Sequence, residues 1–295
     1  MSLTVDAYAK INLTLEVLSR RDDGYHEVVT VLQTISIADT ITFEQSMSLV
    51  LTSSRPELVN DDNLILRAAH SLKEHTGCDK GARIHLEKAV PIAGGLGSGS
   101  SDGAAALLAL NRLWGLGLTP EALEGLAADL GSDVAFFLRG GTAVARGRGE
   151  IVSPLPPVTE LWIVLVEPDV SPIDRKTARL YSRLNPSHFT DGRKSQELIT
   201  RLEHREAIDE AILFNVFEHV AFDAFPGLKD CRERFAEAGA GRVHLAGAGP
   251  TLFALAANEA EGQALRDLIE RQGARAWLVR TCQPAPGPPE EGSQC

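Results

Sequence analysis

Between residues 91 and 110 the chain runs PIAGGLGSGSSDGAAALLAL, so five glycines and three serines lead straight into an alanine- and leucine-rich run. Glycine admits positive φ and lets a backbone close on an anion, and the first amides and the dipole of a following helix favour negative charge. Serine hydroxyls at such an entrance can cap the helix, contact phosphate oxygens or reach a bound magnesium ion. The Lys-Ser/Thr ending of a Walker A loop is absent, and GGLGSG lacks regular GxGxxG spacing with an acidic residue about twenty positions on. Two readings remain, a phosphate cradle and a flexible loop before an ordinary capped helix. The immediate helix favours the cradle. ARIHLEKA at 82–89 reads as a short strand ahead of the loop, and GAAALLALNRLWGL at 103–116 as the helix after it.

Partial alternation and β-branched residues make strands of YAKINLTLEVLS and VVTVLQTISIADTITFEQS, joined by the polar turn RRDDGYHE. DNLILRAAHSLKEHT, 62–76, has helical spacing, with a cap expected within Asp61–Asn63 and a stop at Gly77. Thr119 and Pro120 suit the start of a helix over 119–130, and Gly131 its end, just before Ser132 and Asp133. Three prolines in SPLPPVTE, 153–160, mark a domain boundary between 1–155 and 156–282. Beyond it are expected a strand LWIVLV, a polar mobile stretch at 182–196, and helices near 206–222 and 227–239. Strands RVHLAG and TLFALA, a helix from about Asn258 and a strand ARAWLVR follow, giving a compact α+β second lobe. The tail 283–295, rich in Pro, Gly and Glu, is expected to be disordered.

With 295 residues, 44% of them hydrophobic, the chain can build a sizeable core. Its formal net charge of -11 argues against nucleic-acid binding, so an anionic ligand must be held by local features. Cys78, Cys231, Cys282 and Cys295 are scattered without the close pairing of zinc or redox motifs, which fits a reducing cytoplasmic compartment. No segment approaches the ~20 apolar residues of a membrane span, and no metal site built from protein ligands is expected. The oligomeric state is not legible.

Pro91, the Gly-Leu-Gly core and the serines at the helix entrance resemble the second signature of the galactokinase, homoserine kinase, mevalonate kinase and phosphomevalonate kinase (GHMP) superfamily. AYAKINLTLEV at 7–17, RRDDGYHEVVTVLQTISIADTI at 20–41, DNLILRAA at 62–69, LGSDVAFFLRGGTAVARGRGE at 130–150 and AGAGPTLFAL at 246–255 narrow the resemblance. In that order they are similar to the branch that phosphorylates a cytidine-diphosphate sugar alcohol. The resemblance implies an α+β, two-lobed GHMP-kinase fold: an N-terminal β/α nucleotide-binding domain, a C-terminal ferredoxin-like α+β domain and the active site in the cleft. It also implies ATP as co-substrate, with Mg2+, and transfer of the γ-phosphoryl group to the 2-hydroxyl of the sugar alcohol, in the non-mevalonate route to isoprenoids.

By the same resemblance Asp133 is the general base and Lys10 the cation that orients it. Nucleotide contacts fall on Asn63, Leu64, Pro91, Gly94, Gly95, Leu96, Gly97, Ser98, Gly99, Ser100 and Ser101. Substrate contacts fall on Asn12, Tyr25, His26, Thr177, Tyr181, Gly247 and Gly249, with Tyr25 and Tyr181 stacking on the two faces of cytosine and His26 reading its polar edge. Out of context Asp133 reads as a helix cap, Lys10 as a snorkelling strand lysine, and Tyr25 and His26 as ordinary turn residues; the motifs reverse these readings. Ala246 and Ala248 replace serines usual in the third signature, and VSPIDRKTARLY, 170–181, is longer and more basic than the pattern. A homoserine- or mevalonate-type kinase and an inert nucleotide-binding regulator are the alternatives. The GYH turn weighs against the first, and retention of Lys10 and Asp133 against the second.

Overall fold

The computed structural model describes residues 2–283. Two long strands, β1 (Ser2–Arg20) and β2 (His26–Ser46), pair antiparallel along most of their length and form the spine of a seven-stranded sheet. Register shifts at Tyr8/Ala9 and Asn12/Thr14 interrupt the ladder on either side of Lys10, and such bulges bend a strand and re-aim its side chains. β3 (Val50–Ser53) runs parallel to β4 (Gly81–Glu87), which pairs with the far end of β2. The near end of β2 pairs with β5 (Thr142–Gly147), which in turn pairs with β6 (Ile151–Pro154).

Four helices are associated with this sheet: α1 (Leu64–Thr76), α2 (Ser98–Trp114), α3 (Pro120–Leu130) and α4 (Ser132–Phe137). Val5, Ile41, Phe43 and Ile84 from the strands bury against Leu107, Leu110 and Trp114 of α2. The Trp114 indole donates to the Gly81 carbonyl at 3.1 Å, which satisfies its one polar atom in the core. Small residues Ala104, Ala106 and Ala109 let α2 be buried on several sides.

The rest of the chain supplies β7 (Trp162–Glu167), α5 (Lys176–Tyr181), α6 (Arg193–Glu203), β8 (Phe214–Asn215), α7 (Glu218–Ala224) and α8 (Leu228–Glu237). It ends with β9 (His244–Leu245), β10 (Leu252–Ala256), α9 (Glu259–Arg271) and β11 (Arg275–Arg280). The four-stranded antiparallel sheet has the order β11-β7-β10-β9. Numbered within the sheet this is 4-1-3-2, the ferredoxin-like order. β8 leaves this layer and pairs parallel with Thr14 and Leu15 of β1.

Several sequence-based expectations change. α2 starts at Ser98 rather than Gly103, because the serines and glycines already form its first turn. Residues 193–203 of the supposedly mobile stretch and its continuation are helical, with Leu198, Ile199 and Leu202 buried and the Ser195 amide donating to buried Glu16 at 2.7 Å. The expected helix over 206–222 is broken. Asn215 donates to the Leu245 and Gly247 carbonyls and accepts the Phe217 amide, which holds an extended segment there and delays α7 to Glu218. RVHLAG contributes only His244–Leu245 as strand. Of the tail expected to be disordered over 283–295, Gln283 is placed, its side-chain amide donating to the Thr142 hydroxyl at 2.9 Å, and 284–295 lie outside the described residues.

Candidate active site

A cleft of about 1090 Å³ is lined by the glycine loop, β1, the β1–β2 turn, α4, α5 and the Gly247–Ala248 turn. At one end Gly97, in the left-handed region at φ 73, starts α2. The amides of the first turn of a helix lack intrahelical partners, and here Ser98, Gly99 and Ser100 line the cleft. The loop is clamped from both sides: the Lys10 amide donates to the Leu96 carbonyl at 2.9 Å and the Thr251 amide to the Gly94 carbonyl at 3.1 Å. A Cβ on Gly95 would stand 2.0 Å from the Ala246 carbonyl oxygen, so this close backbone crossing requires glycine. The turn at 246–251 closes through backbone bonds, Ala246 amide to Thr251 carbonyl and Gly249 amide to Ala246 carbonyl, neither of which uses a side chain at 246 or 248, so alanines can stand there.

Beneath the loop, Lys88 is buried between two carboxylates. Its ammonium donates to Ser98, to Asp39 and, at 2.8 Å, to Asp102. Asp39 also accepts the Ala89 and Val90 amides. Burial raises the Asp102 carboxyl to about 7, against the pull of Lys88 and helped by the charge on Asp39.

Lys10 is 4% exposed and its ammonium lies 3.5 Å from an Asp133 carboxylate oxygen. The ammonium also donates to Asn12 at 2.8 Å, Asn12 donates to Thr30 at 2.7 Å, and Thr30 donates to the Thr14 carbonyl at 2.6 Å. This chain of bonds turns the Asn12 amide oxygen toward Lys10 and fixes the ammonium. Asp133 sits in the first turn of α4, whose N-cap is Gly131, so its carboxylate is not used as the cap; it remains 40% exposed. A pocketed carboxylate held beside a buried ammonium and open to solvent can accept a proton from a positioned hydroxyl.

The other end is aromatic. The His26 ring stacks on Tyr181 at 4.8 Å, Phe189 meets His26 edge-on at 5.9 Å, and Phe217 meets Tyr181 edge-on at 4.8 Å. Burial, helped by Arg20, lowers the His26 pKa, so its imidazole is neutral near pH 7. Tyr25 is 56% exposed, and the Arg148 guanidinium lies 4.9 Å from its ring centre. His26, and not an open gap, occupies the space against Tyr181.

Of the residues singled out from sequence, Asn63, Ser101 and Gly249 do not line the cleft. Asn63 is the N-cap of α1, accepting the Ile65 amide and donating to the Leu58 carbonyl, and it delivers Leu64 to the wall. Ser101 is buried. Gly249 lies behind the turn, where a Cβ would stand 2.6 Å from the Leu245 side chain. All the others reach the cleft: Lys10, Asn12, Tyr25, His26, Leu64, Pro91, Gly94 to Ser100, Asp133, Thr177, Tyr181 and Gly247. Residues not singled out also stand there, among them Thr30, Arg148 and Lys176. The basic character of 170–181 was the one sequence signal for Lys176; nothing marked Thr30.

Residues 63–141 match the family model for the N-terminal domain of GHMP kinases and residues 196–275 the model for their C-terminal domain. The chain is 41% identical over 282 residues, 96% of its length and 99% of the relative's, to a 4-diphosphocytidyl-2-C-methyl-D-erythritol kinase of Dehalococcoides mccartyi. It is 39% identical to the like-named protein of Gloeobacter violaceus, covering 94% of this chain and 93% of that one. A crystal structure of 4-(cytidine 5'-diphospho)-2C-methyl-D-erythritol kinase superposes with a TM-score of 0.79 at 35% identity, covering 94% and 98% of the two chains. A homoserine kinase from Cytophaga hutchinsonii shares the fold, with a TM-score of 0.73 at 19% identity over 98% and 96%.

Proposed function

The chain belongs to the GHMP kinases and, within them, to the 4-diphosphocytidyl-2-C-methyl-D-erythritol kinases, and on that premise we propose the following division of the cleft for its reaction. The protein is a kinase that phosphorylates 4-diphosphocytidyl-2-C-methyl-D-erythritol with ATP, in the route to isoprenoid precursors. The glycine loop receives the triphosphate, with Leu64 and Pro91 beside it and Asn63 acting through its cap. Asp133 removes the proton from the 2-hydroxyl of the sugar alcohol as that oxygen bonds to the γ-phosphorus and the bond to the β-phosphate oxygen breaks. Lys10 holds the carboxylate in place and offsets charge on the transferred group, and Asn12 aims Lys10. One observation carries this reading: the Lys10–Asp133 pair, 3.5 Å apart, lines the same cleft as the first turn of α2. Phosphoryl transfer depends on alignment and charge neutralisation more than on covalent chemistry, so this set is sufficient.

A magnesium ion carried on the triphosphate fits the donors present, because Asp133 is the one carboxylate among the described residues lining the cleft and the Ser100 hydroxyl is at the helix entrance. Bound there, it would neutralise phosphate charge. Tyr25, His26 and Tyr181 receive the cytosine, with the His26 ring turning off Tyr181 to admit it, and Thr177 and Gly247 contact the remainder of the substrate. Residues 1–155 and 156–282 form the two lobes. The substrate is a small molecule and the setting cytoplasmic, with no nucleic acid or membrane partner; among the described residues no helix is long and apolar enough to cross a membrane.

The test is product analysis by mass spectrometry and NMR after incubation with ATP and each of three acceptors. The cytidyl compound should gain one phosphoryl group at the 2-hydroxyl, with homoserine and mevalonate unchanged. Phosphorylation of either of those instead, or ATP binding without product, would overturn the assignment.

A further inference from the structure

Among the described residues, the Lys176 ammonium on the cleft wall has no acidic side chain within ion-pair distance. Lys176 opens α5, and its ammonium donates to the Ala93 carbonyl of the phosphate loop at 2.5 Å and to the Gly249 carbonyl of the third glycine loop. Arg175, just before it, is held in the left-handed region at φ 47, an uncommon conformation for a residue with a side chain. That turn projects Lys176 across to both loops. Among the described residues no acidic side chain draws its charge; burial and the nearby Lys10 ammonium instead lower its pKa to about 8.

Backbone carbonyls satisfy two of the three ammonium donors but leave a positive charge poorly solvated, which favours binding of an anion. Lys10 and Asp133 are paired with each other. The uncompensated charge at this end of the cleft is therefore that of Lys176, beside a loop whose amides already favour phosphate.

We propose that Lys176 is a second cation of the phosphoryl-transfer site, tethering the two glycine loops to each other and giving its remaining N–H to a phosphate oxygen of bound ATP. This rests on the reading of the glycine loop as the ATP phosphate site. Lys176 then serves two substrates of different reach unequally: it stabilises the nucleotide and leaves the cytidyl end untouched. The titratable groups sharing its cleft are Lys10 and Asp133, Tyr181 on its own helix, and Arg20, Tyr25, His26 and Arg148 elsewhere on the wall. The two glycine loops, 93–99 and 246–249, carry none.

The sign of the pH effect follows. Lys176 is charged below about 8 and loses its proton above it, and a bound triphosphate raises the pKa again. ATP binding at about pH 8.5 should then take up a proton through Lys176, read by calorimetry in two buffers of different ionisation enthalpy.

The experiment compares wild type, Lys176→Met and Lys176→Arg. Lys176→Met should weaken ATP binding roughly ten- to hundredfold, the usual weight of a hydrogen bond to a charged group. Its proton uptake should vanish and its KM for the cytidyl substrate should stay within about twofold of the parent, while Lys176→Arg should restore most of the ATP affinity. Parental ATP affinity in Lys176→Met, or unchanged proton uptake with a lowered Tm and equal losses for both substrates, would reduce Lys176 to a structural tether and overturn the proposal. If wild type binds ATP but does not phosphorylate the cytidyl compound, the proposed reaction fails and calorimetry still judges Lys176. If wild type binds no ATP, the loop reading fails and the Lys176 role fails with it.

Discussion

The glycine loop and the aromatic wall line one cleft, yet they are held in different ways. The loop is backbone against backbone: Leu96 and Gly94 carbonyls take amides from Lys10 and Thr251, and Gly95 passes so close to Ala246 that no side chain fits. The aromatic wall is side chain against side chain, with His26, Tyr181, Phe189 and Phe217 brought from separate segments into one stacked and two edge-on contacts at 4.8 to 5.9 Å. Close-packed backbone cannot yield by small steps, whereas rings can turn. The first region should therefore respond to substitution sharply and through turnover or ATP binding, the second gradually and through the KM for the cytidyl substrate.

Removing the base should give the largest effect. Asp133→Asn keeps the shape but cannot accept the hydroxyl proton, so kcat should fall by about 10²–10⁴ while both substrates still bind. Lys10→Ala should lower kcat as well, and the double variant should lose clearly less than the product of the two single losses, because the pair acts as a unit. Steady-state kinetics on the three proteins reads this; parental turnover in a folded Asp133→Asn variant would break the assignment of chemistry to this end.

Next come the glycines, which separate packing from ligand approach. Gly95→Ala forces a Cβ into the Ala246 carbonyl and should cost about 1–3 kcal/mol of stability, seen as a lower Tm, together with weaker ATP binding. A Cβ at Gly99 meets nothing within 4 Å, so Gly99→Val should leave folding largely intact and raise the KM for ATP by blocking phosphate. Equal effects on Tm in the two variants would mean that the loop is not clamped as described.

At the aromatic end Tyr25→Ala should raise the KM for the cytidyl substrate by about 1–3 kcal/mol equivalent, the weight of one stacking face, with the KM for ATP nearly unchanged. An unchanged cytidyl KM would remove Tyr25 from the site. The smallest kinetic effect belongs to Asn63→Ala. It should destabilise the protein by about 0.5–2 kcal/mol through the lost cap of α1 and leave the KM for ATP within about twofold; a large rise in that KM with unchanged stability would make Asn63 a direct nucleotide ligand.

Legibility from sequence divides along the same line. The glycine loop, the Asn63 and Thr119 caps and the long β1–β2 hairpin depend on local residue preferences, and these were readable. What was lost depended on contacts distant in sequence. The helix expected through 206–222 gave way because Asn215 bonds to Leu245 and Gly247, about thirty residues away, and local spacing carries no trace of that. The start of α2 at Ser98 was hidden by glycines and serines, poor helix formers that here serve the first turn. The roles of Thr30 and Lys176 arise from a side chain meeting another segment, at Asn12 in one case and at Ala93 and Gly249 in the other. Sequence resemblance supplied Tyr25, His26 and Tyr181 as residues, but not the stack of His26 on Tyr181.

The division between the two ends is tested most directly by a double-mutant cycle that crosses it, Asp133→Asn combined with Tyr25→Ala, measured as kcat/KM for the cytidyl substrate. If chemistry and base recognition are separate, the two losses should add within about 0.5 kcal/mol, in contrast to the strong coupling expected for Lys10 with Asp133. A coupling energy across the cleft as large as that within the Lys10–Asp133 pair would contradict the account.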